Sequence, residues 1–154
     1  MEIRRMKTFL TLLLVIIVLP LLSACATPSQ IMADAEVRRL CEKDGGIKVY
    51  ETVKLPPEKF DRYGVVRIPF KQDAKPSDQY YYESRMHHYK SGNPEMWQLH
   101  FVLYRRIDNK LLGEAISYAR RGGDLPGPWH ASSFGCPDDA DISDLKKRIF
   151  IKAD

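Results

Sequence analysis

Four histidines, a pair of adjacent serines and a run of aspartates are the residues of this chain whose types could do chemistry. His87 and His88 are neighbours in a segment that alternates like a strand, so their side chains leave on opposite faces and do not converge on one metal. Neither an HExxH motif nor paired cysteines at zinc spacing occurs, and no metal site is predicted. His130 stands two residues before Ser132 and three before Ser133. A serine nucleophile needs a base within hydrogen-bond reach and a third group to orient that base. Nearness in sequence supplies neither, and the GxSxG elbow is missing. No catalytic residue is therefore assigned, and a hydrolase built on His130 with a nearby serine or acid is kept as the alternative. Asp138, Asp139, Asp141 and Asp144 suggest calcium at first sight. A calcium loop read from Asp139 needs glycine where Asp144 stands and glutamate where Phe150 stands. Acids at the start of a helix explain the run better.

Other residues are suited to binding. The arginine pairs 105–106 and 120–121 offer positive charge for an anionic lipid or glycan. A hairpin register that pairs Ile107 with Lys110 puts them at opposite ends, as two separate sites, with Arg120 opposite Trp97. The stretch 122–137 is rich in glycine and proline and embeds Trp129, His130 and Phe134. Long ordered loops are often functional, and Leu125-Pro126-Gly127-Pro128-Trp129 would present a stiff aromatic turn to a peptide, glycan or protein. Trp129, His130 and Phe134 are the candidate binding loop; the competing reading folds Trp129 and Phe134 inward to cap a sheet. Tyr80-Tyr81-Tyr82 is ascribed to strand preference.

The amino-terminal segment is the most specific signal in the chain. Arg4, Arg5 and Lys7 precede a nearly uninterrupted apolar run from residue 9 to 22, broken only by Thr11 and Pro20. That run suits a signal-peptide core and falls short of the ~20 residues a membrane-spanning helix needs. Leu22-Ser23-Ala24-Cys25 follows directly. This tetrapeptide resembles the lipobox of bacterial lipoproteins, a branched apolar residue and two small ones before a cysteine. The resemblance covers residues 1–25 only. It implies cleavage after residue 24, a diacylglycerol on the Cys25 sulfur and acylation (palmitate) of the new terminus, with no other cofactor. Two or more acyl chains hold a protein stably on a bilayer. Members of the class retained in the inner membrane of Gram-negative bacteria commonly carry aspartate after the cysteine; Ala26 stands here, which in such a cell implies the outer membrane, facing the periplasm.

Removing residues 1–24 leaves 130 of 154, the size of a single domain. Those residues hold three basic groups and Glu2, so a formal charge of +4 falls to +2. The basicity belongs largely to the export signal, and no nucleic-acid partner is expected. Of three cysteines, Cys25 is consumed by lipid, which leaves Cys41 and Cys136 to pair in an oxidising compartment.

The elements that must position these residues follow from periodicity. Residues 29–44 read as a helix with Ala33, Val37, Leu40 and Cys41 on one face, stopped by Gly45-Gly46. Strands are predicted over 47–55, 65–70, 80–90, 96–107 and 111–120, with a tight turn at Asp108-Asn109. In the register above, bulky residues gather on one face, with Phe101 opposite Ile116, and the other carries Gly113, Ala115, Ser117 and Ala119. That small-residue face could equally accept a close-packed helix. Residues 142–150 read as a helix, with a terminal strand through 148–152 as the rival. The expected fold is α+β: an antiparallel sheet of four to five strands flanked by N- and C-terminal helices. The expected organisation is a signal peptide (1–24), a short tether (25–28) and one domain (29–154). The expected role is a membrane-anchored, non-catalytic binding or structural module of the cell envelope. Its partners would be the bilayer and an envelope protein or glycan. An exclusion or immunity-type inhibitor is a further alternative.

Overall fold

A computed structural model describes residues 26–127 and 130–153. Helix α1 (Pro28–Asp44) begins one residue earlier than its apolar periodicity suggests, because its start is set by a capping box. The Thr27 side chain accepts from the Gln30 backbone N–H, and the Gln30 side chain accepts from the Thr27 N–H at 2.8 Å. Two orphan donors of the first turn are thereby satisfied, and Pro28 occupies the position where its missing N–H costs nothing. At the other end the Gly45 N–H closes on the Cys41 carbonyl, and Gly46 takes the positive φ of 112°.

Three long antiparallel strands form the body: β3 (Tyr80–Lys90), β4 (Glu95–Arg105) and β5 (Lys110–Arg121). The far edge of β5 is shared end to end by β1 (Gly46–Val49) and β6 (Ser133–Cys136). The result is a five-stranded antiparallel sheet in an α+β fold, with the spatial order β1-β5-β4-β3 and β6 beside β5. Helix α2 (Ile142–Ile149) runs into β7 (Phe150–Lys152), so helix and strand both occur at the carboxyl end. β7 pairs in parallel with β2 (Val53–Leu55) as a separate two-stranded sheet.

The two helices lie on opposite faces. α1 buries Ala33, Val37 and Leu40 against Met96, Ile116 and Tyr118. α2 buries Leu145 and Ile149 against Leu103, Leu112 and Ala115, joined by Val66, Ile68 and Phe150. Cys41 on α1 and Cys136 on β6 form a disulfide, Cα to Cα 6.1 Å, that staples the first helix to the sheet.

Several expectations need correction. The alternating stretch 47–55 is two strands, because Tyr50 and Glu51 both donate their N–H to the Leu112 carbonyl and turn the chain between sheets. Residues 65–70 make only single bridges, Phe60 to Val66 and Phe70 to Tyr82. The β4–β5 hairpin pairs Arg105 with Lys110 and skips Leu112, so Phe101 lies opposite Ala115 and Leu99 opposite Ser117. This is one residue away from the expected register, which reverses the faces. The small-residue stripe receives a helix: a Cβ on Gly113 would lie 2.9 Å from Ile149 and 3.2 Å from Leu145. Arg120 consequently faces away from Trp97, which sits opposite Ala119.

Candidate functional site

The loop after β5 is pinned to the first turn of α1. Gly122 and Gly123 take consecutive positive φ values of 84° and 83°, a conformation that favours glycine. The Gly123 N–H donates to the Asn93 side chain, and the Gly123 carbonyl accepts from the hydroxyls of Thr27 and Ser29. Gln30, already used in the cap, donates from Nε2 to Asp124 Oδ1 at 2.6 Å and to the Ser132 hydroxyl at 2.9 Å. The Ser132 N–H donates to Asp124 Oδ2, and this bond holds the Asp124 carboxyl below the ordinary range.

Arg120 completes the clamp. It is 4% exposed, and its Nε donates to Asp34 Oδ1 at 2.8 Å. Its Nη1 reaches the carbonyls of Gly122 and Ser132 and the Ser132 hydroxyl at 2.7 Å. One buried guanidinium thus joins α1, the end of β5 and both ends of the loop. The Thr27-x-x-Gln30 spacing was the available sequence signal for half of this clamp.

The candidate residues separate within this frame. Trp129 lies outside the described residues, as does Cys25. His130 is exposed. Phe134 lies on β6, half-buried, with the Arg38 guanidinium 4.7 Å over its ring, so it packs inward. The Ser132 hydroxyl oxygen accepts from Gln30 and Arg120, an arrangement that locks a loop and leaves the hydroxyl facing two donors rather than a base. His87 and His88 sit opposite Gln98 and Trp97 on the two faces of the sheet. Among the described residues no group of three His, Cys, Asp or Glu side chains is placed to hold a metal. In the acidic run, Asp141 caps α2 by accepting from the Asp144 N–H, and Asp139 pairs with Arg148 at 2.5 Å. The arginine pairs lie at opposite ends of the hairpin: Arg105 binds Glu51 and Asp108 near the turn, while Arg120 is interior.

A second polar cluster was not foreseen. His100 Nε2 lies 2.7 Å from Glu114 Oε2, and the Tyr50 hydroxyl donates to Glu114 Oε1 at 2.5 Å. Burial disfavours the charged Glu114, yet the bonds from Tyr50 and His100 and the charges of His100 and Lys48 outweigh it, and its pKa falls below the ordinary value. On the same face Gln98 donates to the Tyr118 hydroxyl, which donates to Asp44 at 2.6 Å. Burial, then that carboxylate, pushes the Tyr118 pKa up. The contacts with Glu114 fix the orientation of the imidazole. The one-residue register error had placed His100 and Glu114 on opposite faces, which concealed it.

At the far end of the sheet two open clefts of about 480 and 440 Å³ flank residues 77–80. Arg105, Arg106 and Ile107 line the first, and Lys59, Arg67 and Pro69 the second. Among the described residues no helix is long and apolar enough to cross a membrane. No family model, curated protein or solved structure matches the chain.

Proposed function

We propose that the chain is a membrane-anchored bacterial lipoprotein whose folded domain acts by binding or as a structural component at the cell envelope, not by catalysis. The observation that carries this reading is the position of Leu22-Ser23-Ala24-Cys25: only Ala26 separates Cys25 from Thr27, the N-cap of α1. A lipid on Cys25 would hold the domain against the bilayer, because three peptide units from Cys25 to Pro28 reach no more than about 11 Å. The disulfide is consistent with an exported protein, since such bonds persist in oxidising compartments. Ala26 favours the outer membrane if the source is Gram-negative. Partners recognised by such a domain would be envelope proteins or glycans lying close to the membrane surface.

Metabolic labelling with palmitate tests the proposal. The wild-type protein is expected to take up label, lose residues 1–24 and sediment with membranes, whereas Cys25→Ser abolishes the label. A Cys25→Ser protein with unchanged mass and undiminished membrane partition would sink the reading. Proximity labelling from the anchored protein would then identify what it touches.

A further inference from the structure

We propose that the tethered end of the domain is itself a membrane-contacting surface, with Ile31, Met32 and Leu125 as its apolar contacts and the bilayer as its occupant. This inference rests on the lipoprotein reading above. Met32 is 73% exposed, and Ile31 and Leu125 are each 57% exposed. Single exposed apolar residues are ordinary, so exposure alone decides nothing. Location decides here.

Ile31 and Met32 occupy the first turns of α1, directly after Gln30. Leu125 directly follows Asp124, which Gln30 binds at 2.6 Å, so the clamp holds helix start and loop together. Met32 lies four residues into the helix, about 6 Å along its axis from Pro28. With the reach of the tether, it falls within roughly 17 Å of the lipidated residue. The headgroup region into which surface-bound apolar side chains sink extends several ångströms from the hydrocarbon edge.

Charge at this end agrees with such a contact. Asp34 is turned onto Arg120, and Asp124 accepts from Gln30 and the Ser132 N–H. Arg120 offsets the charge of Asp34, and Arg39 that of Glu36 one turn beyond Met32, which lowers the repulsion an anionic lipid surface would meet. The Asp124 charge is held by neutral donors and is not cancelled. The acyl chains supply attachment, and the three side chains would fix which end of the domain lies on the membrane.

Site-specific photocrosslinking in the full-length protein in its own membranes tests this. A benzophenone amino acid is introduced at position 32, at 125 or, as a control, at 107. Ile107 is 90% exposed in the β4–β5 turn, one eleven-residue strand away, about 33 Å. Phospholipid adducts at 32 and 125 are expected to exceed those at 107 by at least about ten-fold. Protein adducts instead of lipid, or equal lipid yields at all three positions, would overturn the inference. Either result in palmitate-labelled protein that sediments with membranes leaves the lipoprotein reading standing. A protein without palmitate that remains soluble defeats that reading, and this inference with it.

Discussion

Arg120 is the side chain on which the loop depends. Its removal leaves the Asp34 carboxylate and the Gly122 carbonyl without their donor inside the protein, while the Ser132 carbonyl keeps the Gly122 N–H. Breaking a buried pair costs about 3–5 kcal/mol, and the partial exposure of Asp34 places this case near 3 kcal/mol. Urea unfolding of Arg120→Ala is expected to show that loss, while Arg121→Ala, at an exposed neighbour, changes stability by less than about 0.5 kcal/mol. Equal effects would mean that the guanidinium does not hold the loop. Glu114 supplies a pH-dependent counterpart. Its folded pKa lies below the reference value of 4.5, so its contribution is present above that pH and disappears as pH falls through the folded value. Glu114→Gln should therefore flatten the acid limb of stability as pH falls below about 4.5 relative to wild type. An unchanged slope would assign acid sensitivity to other carboxylates.

Among the elements, the β4–β5 hairpin shows what a sequence discloses and what it conceals. Alternation from Met96 to Leu103 marks the strand, and the face carrying Trp97, Leu99, Phe101 and Leu103 is legible from it. The strand-to-strand register is not, because it depends on a four-residue turn at 106–109, with Asn109 at φ 51°, and on Leu112 dropping out of the pairing. The same bulge presents the Leu112 carbonyl to Tyr50 and Glu51, which is why one alternating run became two strands. β6 escaped notice because four residues in a glycine- and proline-rich stretch carry too little periodicity. Arg120, Asp34, Gln30 and Ser132 were hidden for a different reason: they converge across about ninety residues of chain, and only Thr27 and Gln30 are local. The corrected register makes its own prediction. Gly113→Ala places a methyl against α2 and the Lys48 carbonyl and is expected to cost about 1–3 kcal/mol. Ala119→Val, on the same stripe but half-exposed and away from α2, changes stability by less than about 0.5 kcal/mol. Were the faces reversed, both positions would lie away from the core and both changes would stay below about 0.5 kcal/mol.

The whole molecule is held by two cores on either side of one sheet and by a covalent link between its first helix and a late strand. Cys41 and Cys136 are 95 residues apart, and closing a loop of that length removes about 4–5 kcal/mol of unfolded-state entropy in the chain-entropy account. Reduction, or paired replacement of both cysteines by alanine, is expected to lower the unfolding free energy in water toward that amount, with a steeper urea dependence because the freed unfolded chain exposes more surface. That bond also defines a path for mechanical load. In the proposed anchored protein the load would enter at Thr27, the helix would carry it to Cys41, and the sulfur bridge would pass it into β6 beside β5. A pull directed at the amino-terminal end could peel the helix away up to residue 40 and no further. Beyond that point tension runs through a covalent bond into the middle of the sheet, so the domain would stay moored even with its first helix unwound.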